Sequence, residues 1–472
     1  MKDLKRYHGF WWLSDKPTEK LSGELTISTI NEFKLSLYFL ASSDLIHVLI
    51  PSLNEFHYKS IPIINGIVKE SQTNIDTEFT LFNCELETYL INKTSELTYS
   101  VSFMIEGANV VSKNKLLFKK LFLQPIFIDQ WAIENHISIS NDDHKKKFNV
   151  KADYEQPEHV NIYKNGNLTI YIYFRARYQT EFNSSFTIKQ TPILNIEFSR
   201  KQSIKKTLEI IDLVKNWFVI VYGMPVYYET ISCNCIVNQS RGQSNELINV
   251  NLHQSVNFNA IKYKKYYKAF ELIPYLEFKI QLRDFFNNWY KKYNLLKPVI
   301  GLYVDTLFND NLYPQNQFLN YVFALEIYHR TLTPNQSLST DIKTNNKLNR
   351  IISNCHPKDR EWLNKRLKVK SETLKNRLIQ LFKEYDYISQ EIGLSKQSYI
   401  EKIATTRNHF VHNLGPDSKN GLLNLDSIQQ TTDRLLIILQ AIFLQEMGMS
   451  KESIVKNIKR SGNNSKYFVK NK

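Results

Sequence analysis

The spacing of apolar positions changes once along this chain. From about residue 21 to residue 200, hydrophobic and polar residues alternate: "GELTISTI", "FKLSLYFL", "TEFTLFNCELETYL" and "LTYSVSFMIEG" all place apolar side chains at every second position. Successive side chains of a strand point to opposite faces, so this period predicts half-buried β-strands. In "IYKNGNLTIYIYF" the pair Asn165-Gly166 separates two such runs, which predicts a tight hairpin. The fold expected over 1–200 is a β-rich domain, either an antiparallel sandwich or a partly closed barrel.

Residues 201–222, "KQSIKKTLEIIDLVKNWFVIVY", switch to helical spacing and lead into "MPVYYETISCNCIV", a further strand. The stretch 201–260 thus reads as a mixed α+β continuation of the N-terminal part, with "NQSRGQSNE" at 238–246 as a polar loop. Beyond it the strands stop. "LEFKIQLRDFFNNWYKKY", "KPVIGLYVDTLF", "NQFLNYVFALEIYHRTL", "SETLKNRLIQLFKEY", "SKQSYIEKIATTRNHFVHN" and "DSIQQTTDRLLIILQAIFLQEMG" carry apolar stripes at i, i+3, i+4 and i+7. Start signals fall at Ser371, Ser395 and Asp426-Ser427. The expectation is an α+β multidomain chain, with an all-α bundle over 261–460 and a basic tail at 461–472.

Composition narrows the class. With 42% apolar and 23% charged residues, the chain has the balance of a soluble globular protein. The N-terminal "MKDLKRYHGFWWLSDK" lacks the apolar region of a signal peptide, and no long uncharged apolar run occurs, so the expected place is the cytoplasm, with no membrane partner. The cysteines Cys84, Cys233, Cys235 and Cys355 give neither a disulfide ladder nor zinc-ligand spacing; "CNC" reads as buried thiols in a strand. No metal and no cofactor is expected.

Charge then separates the two halves. Residues 1–250 carry 27 Lys and Arg against 27 Asp and Glu, whereas 251–472 carry 34 against 19, so the whole excess of +15 lies in the second half. Such asymmetry points to a polyanionic partner for that half, such as nucleic acid, although solubility alone would also account for it. The run 358–377, "KDREWLNKRLKVKSETLKNR", holds the candidate RNA-binding residues Lys365, Arg366, Lys368 and Lys370, although a solvated helix face would carry the same residues. Phe10, Trp11 and Trp12 offer either a ligand platform or a plug for the β-domain core.

The candidate chemistry lies in "TTRNHFVHNLG" at 405–415. A helix ending near His412 or Asn413, stopped by Gly415 and Pro416, would bury Ile400, Ile403, Phe410 and Val411. At about 100° per residue, Asn408 and His412 lie about 40° apart, but Arg407 is about 140° from His412. The two side chains do not converge on one face: either the long Arg407 stem reaches across, or the helix loosens at its end, or a second copy of the helix contributes, and the awkward geometry points to a dimeric site. The residue types suit cleavage of RNA through its own 2′-hydroxyl. Histidine can take or give a proton near neutrality, and arginine can hold the charge of a phosphorane.

"RNHFVH" resembles the Arg-polar-xxx-His signature of HEPN ribonucleases. "FLNYVFALEIYHR" resembles an early helix of such domains, with Glu326 as a counter-charge to Arg407. "YHGFWWLSDKPTEKLSGELTIS" resembles the start of the N-terminal domain of ApeA-type anti-phage proteins. The resemblance implies an all-α HEPN bundle at the C-terminus and Arg407 and His412 as the catalytic pair, supported by Asn408; His409 is an extra histidine within the variable positions. It also implies homodimers with a composite cleft and metal-independent cleavage leaving a 2′,3′-cyclic phosphate. The biological setting it implies is abortive infection, with structured RNA such as tRNA as target and an unidentified phage trigger. The alternative is a non-catalytic HEPN-type RNA- or nucleotide-binding or adaptor protein.

Overall fold

The alternating segments fold as antiparallel strands, and the first six close on themselves. They are β1 (Lys5–Leu13), β2 (Leu21–Ile27), β3 (Phe33–Leu40), β4 (Ile61–Lys69), β5 (Asp76–Leu90) and β6 (Thr94–Glu106). This computed structural model describes residues 5–28, 32–40, 60–69, 76–90, 94–144, 147–181, 185–237, 247–254, 271–309, 311–332, 342–368, 373–412, 421–462 and 464–468. Two compact units emerge, one of 1–218, 226–266 and 274–286, the other of 219–225, 267–273 and 287–472.

In the first unit, β6 pairs with β3 on one side and β5 on the other, while β2, β1 and β4 complete a six-stranded barrel. A barrel this narrow is filled by side chains and leaves no channel. Trp11, Leu35, Phe79, Leu97 and Tyr99 are fully buried inside it. Gly66 lies opposite Trp11 in the ladder, and a Cβ there would overlap the indole carbons, so the bulky ring requires the bare backbone. Trp11 is thus the core plug, while Phe10 is exposed and Trp12 is half-buried beneath the Lys20 ammonium, 4.7 Å from its ring.

The sheet continues outward from β6. It runs through β14 (Leu247–Gln254), β13 (Tyr228–Val237), β7 (Leu116–Pro125), β12 (Ser185–Ser203), β11 (Leu168–Glu181) and β10 (Val160–Lys164). A separate hairpin joins β8 (Ile137–His144) to β9 (Lys147–Tyr154). The β10–β11 turn forms where the Asn-Gly pair predicts it. The side-chain oxygen of Asn165 accepts from the amides of Asn167 and Leu168, both at 2.8 Å, and fixes the reversal.

Two helices, α1 (Ile128–Trp131) and α2 (Ile204–Tyr222), supply buried aromatic groups: Trp131 meets Trp217 and Phe218 edge-on, and Tyr228 of β13 donates to the Ile211 carbonyl at 2.9 Å. Cys233 and Cys235 are buried in β13, and burial pushes the Cys235 thiol up to about 12. The predicted polar loop 238–246 lies outside the described residues.

The helices of the C-terminal half are α3 (Tyr275–Phe278), α4 (Leu282–Phe308), α5 (Pro314–Leu332), α6 (Ile342–Ser353), α7 (Pro357–Lys368), α8 (Leu374–Glu384), α9 (Asp386–Ser389), α10 (Gln397–His412), α11 (Leu425–Glu446) and α12 (Lys451–Arg460). Helix α4 runs through Pro298, joining two segments that sequence spacing reads separately. Proline removes a backbone donor, but Tyr293, Leu296, Val299, Ile300 and Tyr303 are all buried, and their packing outweighs that loss.

Helix α11 is central: Ile437 through Leu444 are buried without interruption, as expected of a helix covered on all sides. Its cap is Asn424, which accepts from the Ser427 amide at 2.8 Å, two residues before the predicted start. Helix α8 is capped by Thr373; the expected Ser371 lies outside the described residues. Among the described residues, no helix is long and apolar enough to cross a membrane.

Candidate active site

Helix α10 carries Arg407, Asn408, His409 and His412 on its last two turns. Its buried stripe is Ile400, Ile403, Ala404 and Thr406, and the Thr406 hydroxyl accepts from the Leu423 amide at 3.0 Å. Arg407 follows Ile403 by one turn and falls on the same stripe, so it enters the bundle instead of facing solvent. Phe410 and Val411, predicted to pack, are instead 37% and 42% exposed. They continue the apolar stripe beyond the point where neighbouring helices cover it, although Phe410 keeps an edge contact with Phe318 of α5.

An enclosed guanidinium needs acceptors, because burying an unpaired charge is costly. Arg407 finds them on α5 and on its own helix. Its Nη2 donates to Glu326 Oε2 at 2.9 Å, its Nη1 donates to Asn408 Oδ1 at 3.0 Å, and its Cζ lies 5.0 Å from the Phe323 ring centre. Only 15% of the Arg407 side chain and 11% of that of Glu326 remain exposed. Arg407 Nε is buried with no hydrogen-bond partner among the described residues.

Glu326 serves a second guanidinium. Arg330 Nη2 donates to its other oxygen at 2.6 Å, one turn along α5, and the Arg330 side chain is 59% exposed. Two cations around one carboxylate leave a local net positive charge, with Arg330 as the solvent-facing one. The sequence reading did not single out Arg330. The signal was present in "EIYHR", where Glu and Arg stand four residues apart on one helix face.

The structure therefore brings Arg407, Asn408 and Glu326 together. His412 is exposed at the end of α10, and among the described residues no hydrogen bond joins it to Arg407. His409 is half-buried, its ring 6.1 Å from that of Phe410. Lys365, Arg366 and Lys368 belong to α7 with side chains outside the description, and Lys370, Gly415 and Pro416 lie outside the described residues altogether. The geometry offers a held guanidinium, a second exposed one and an exposed imidazole, the groups needed to bind a phosphate and move a proton.

Comparison with family profiles gives two matches. The family "ApeA N-terminal domain 1" matches residues 6–289, and "Apea-like HEPN" matches residues 319–453, the stretch that holds Glu326, Arg330, Arg407 and His412. Comparison with curated proteins and with solved structures gives no match.

Proposed function

The chain belongs to the ApeA family, with its HEPN domain at the C-terminus, and from that premise we propose that it is an endoribonuclease of anti-phage defence. The observation that carries the reading is the Arg407–His412 spacing on α10, inside the matched HEPN stretch and beside the Glu326–Arg330 pair. HEPN domains commonly dimerise and bind RNA, which fits a basic half of the chain.

In the proposed reaction, the 2′-hydroxyl of one nucleotide attacks the adjoining phosphate and expels the 5′-oxygen of the next. The products are a 2′,3′-cyclic phosphate and a 5′-hydroxyl. His412 moves a proton at the attacking or leaving oxygen, and solvent exposure lets it reach RNA. Arg407, oriented by Glu326 and Asn408, stabilises the charge gathered on the phosphorane, and Arg330 adds to the field. The step calls for a base, an acid and cations, all of which side chains can supply without a metal. The second chain of a homodimer brings the complementary Arg407 and His412 to a shared cleft.

The β-rich part, 1–200 with its continuation to 260, senses infection or restrains the HEPN part, 261–460, until a phage trigger arrives in the cytoplasm. Cutting tRNA or similar structured RNA then halts growth before phage matures. The test compares infected cells expressing wild-type protein with cells expressing His412→Ala. Loss of plaques together with RNA fragments bearing cyclic-phosphate ends, only with wild type, supports the reading. Protection retained by His412→Ala points to a binding or adaptor role instead.

A further inference from the structure

The outer edge of the β-sheet presents a surface that the cleavage site does not use. Strand β11 runs past its neighbours: β10 pairs with it only as far as Ile172, and β7 leaves β12 at Leu194. From Tyr173 onward, β11 and β12 pair only with each other, as a two-stranded ribbon. On one face of β11 the side chains in order are Tyr171, Tyr173, Arg175 and Arg177, spaced about 6.8 Å apart. Opposite Arg177 on β12 stands Lys189.

Cations outnumber carboxylates along this face, where Glu181 is the next charged side chain of β11 beyond Arg177. Arg175, Arg177 and Lys189 are exposed, and among the described residues none forms an ion pair with a carboxylate, although Lys189 acts electrostatically on Glu229. Directly opposed like charges on paired strands are destabilising, so Arg177 facing Lys189 carries a cost that a polyanion would relieve. Toward the base of the ribbon the surface turns aromatic. The exposed His159 ring lies 5.1 Å from that of Tyr171 and 5.3 Å from that of Tyr173. His159 and Tyr173 line an open cleft together with Gln156, Pro157, Glu158 and Asn161. Tyr171 is fixed by donating to Glu197 at 2.7 Å, whose charge is already met by Lys120 at 2.8 Å.

We propose that this face of β11 docks single-stranded RNA, a base stacking in the cleft on His159 and Tyr173 while Arg175, Arg177 and Lys189 hold the phosphates that follow. Aromatic rings beside a row of cations suit unpaired bases, since the bases of a duplex are already stacked on one another. The inference rests on the ribonuclease reading and deepens it: the N-terminal unit takes part in choosing the RNA, through an unpaired segment of it.

Binding is measured by fluorescence anisotropy of a short unstructured RNA against the full chain carrying His412→Ala, at pH 8 and a series of salt concentrations. Replacing Arg175, Arg177 and Lys189 together by Gln is expected to weaken binding at least about tenfold. It should also make the logarithmic salt dependence shallower by about 2, as expected for three lost phosphate contacts on a single strand. His159→Ala should weaken binding about tenfold with the salt dependence unchanged, because stacking is lost and no phosphate contact is. These are exposed positions, so melting temperature should not fall. Unchanged affinity and salt dependence in both variants, or no binding by the parent chain, overturns the inference and leaves the face to a protein partner. Cleavage is read separately with Arg407 and His412 intact and soluble extract of phage-infected cells supplied: wild-type cutting by the triple variant overturns this inference alone, whereas RNA held by the ribbon but cut by no form removes the ribonuclease reading alone.

Discussion

Arg407 and Glu326 form a nearly enclosed ion pair, Nη2 to Oε2 at 2.9 Å, between helices 81 residues apart in sequence. Removing the carboxylate would strand one guanidinium inside the bundle and release another at its surface. Glu326→Ala is expected to cost about 3 kcal/mol of stability, since breaking a buried pair leaves an uncompensated charge. Glu326→Gln, which keeps one acceptor oxygen, should cost less. Denaturant unfolding checks both, and equal stability of all three forms would mean that Arg407 is satisfied by Asn408 and Phe323 alone.

Arg330 shares the carboxylate but faces solvent, so its loss should touch reaction more than fold. Arg330→Ala is expected to change stability by no more than about 0.5 kcal/mol. RNA cleavage should fall about tenfold, the effect of one charge-assisted phosphate contact. Arg330→Lys should restore part of the rate, because a point charge replaces the fork. Steady-state cleavage of a defined RNA separates the two effects.

Most of the fold was legible because its signals are local. The Asn165-Gly166 hairpin needs only an oxygen placed to accept from Asn167 and Leu168, and the strands of the barrel announce themselves by alternation. Closure of β6 onto both β3 and β5 was not legible, since it depends on pairings between distant residues. The continuity of α4 through Pro298 was hidden for a similar reason: burial of Tyr293 and Tyr303 decides it, and local propensity argues the other way. At the site, the wheel separates Arg407 from His412, but only tertiary packing reveals that Arg407 is the side chain turned inward. Phe410 and Val411 mislead for the complementary reason, being apolar and on the right stripe yet past the end of the core.

Because no hydrogen bond joins Arg407 to His412 among the described residues, a composite site is expected, and mixing two dead variants should restore it. Arg407→Ala and His412→Ala proteins, each inactive, are expected to recover about a quarter of wild-type cleavage after subunit exchange. Half the dimers would be mixed, and one of their two sites would be intact. No recovery, with exchange verified by mass, would place both groups of a working site in one chain.

The first unit should show a distinct acid sensitivity. The hydrogen bond from His253, 2.8 Å away, holds the Glu106 carboxyl below its ordinary range. A depressed carboxylate contributes stability above its unfolded-state value, and that contribution is lost as pH falls through the native one. Glu106→Gln is therefore expected to lower stability at neutral pH by about 1 kcal/mol. The gap to wild type should close in acid, as read from urea unfolding across pH.

The most direct measurement is of RNA ends. Purified wild-type, Arg407→Ala and His412→Ala proteins, each supplied with soluble extract of phage-infected cells, are incubated with RNA in EDTA and the fragments sequenced by end chemistry. The expected result is new 2′,3′-cyclic phosphate and 5′-hydroxyl ends with the wild type and none above extract background with either variant. RNA left whole by the wild type, or cut alike by all three, would contradict the assignment of Arg407 and His412 as the cleaving pair.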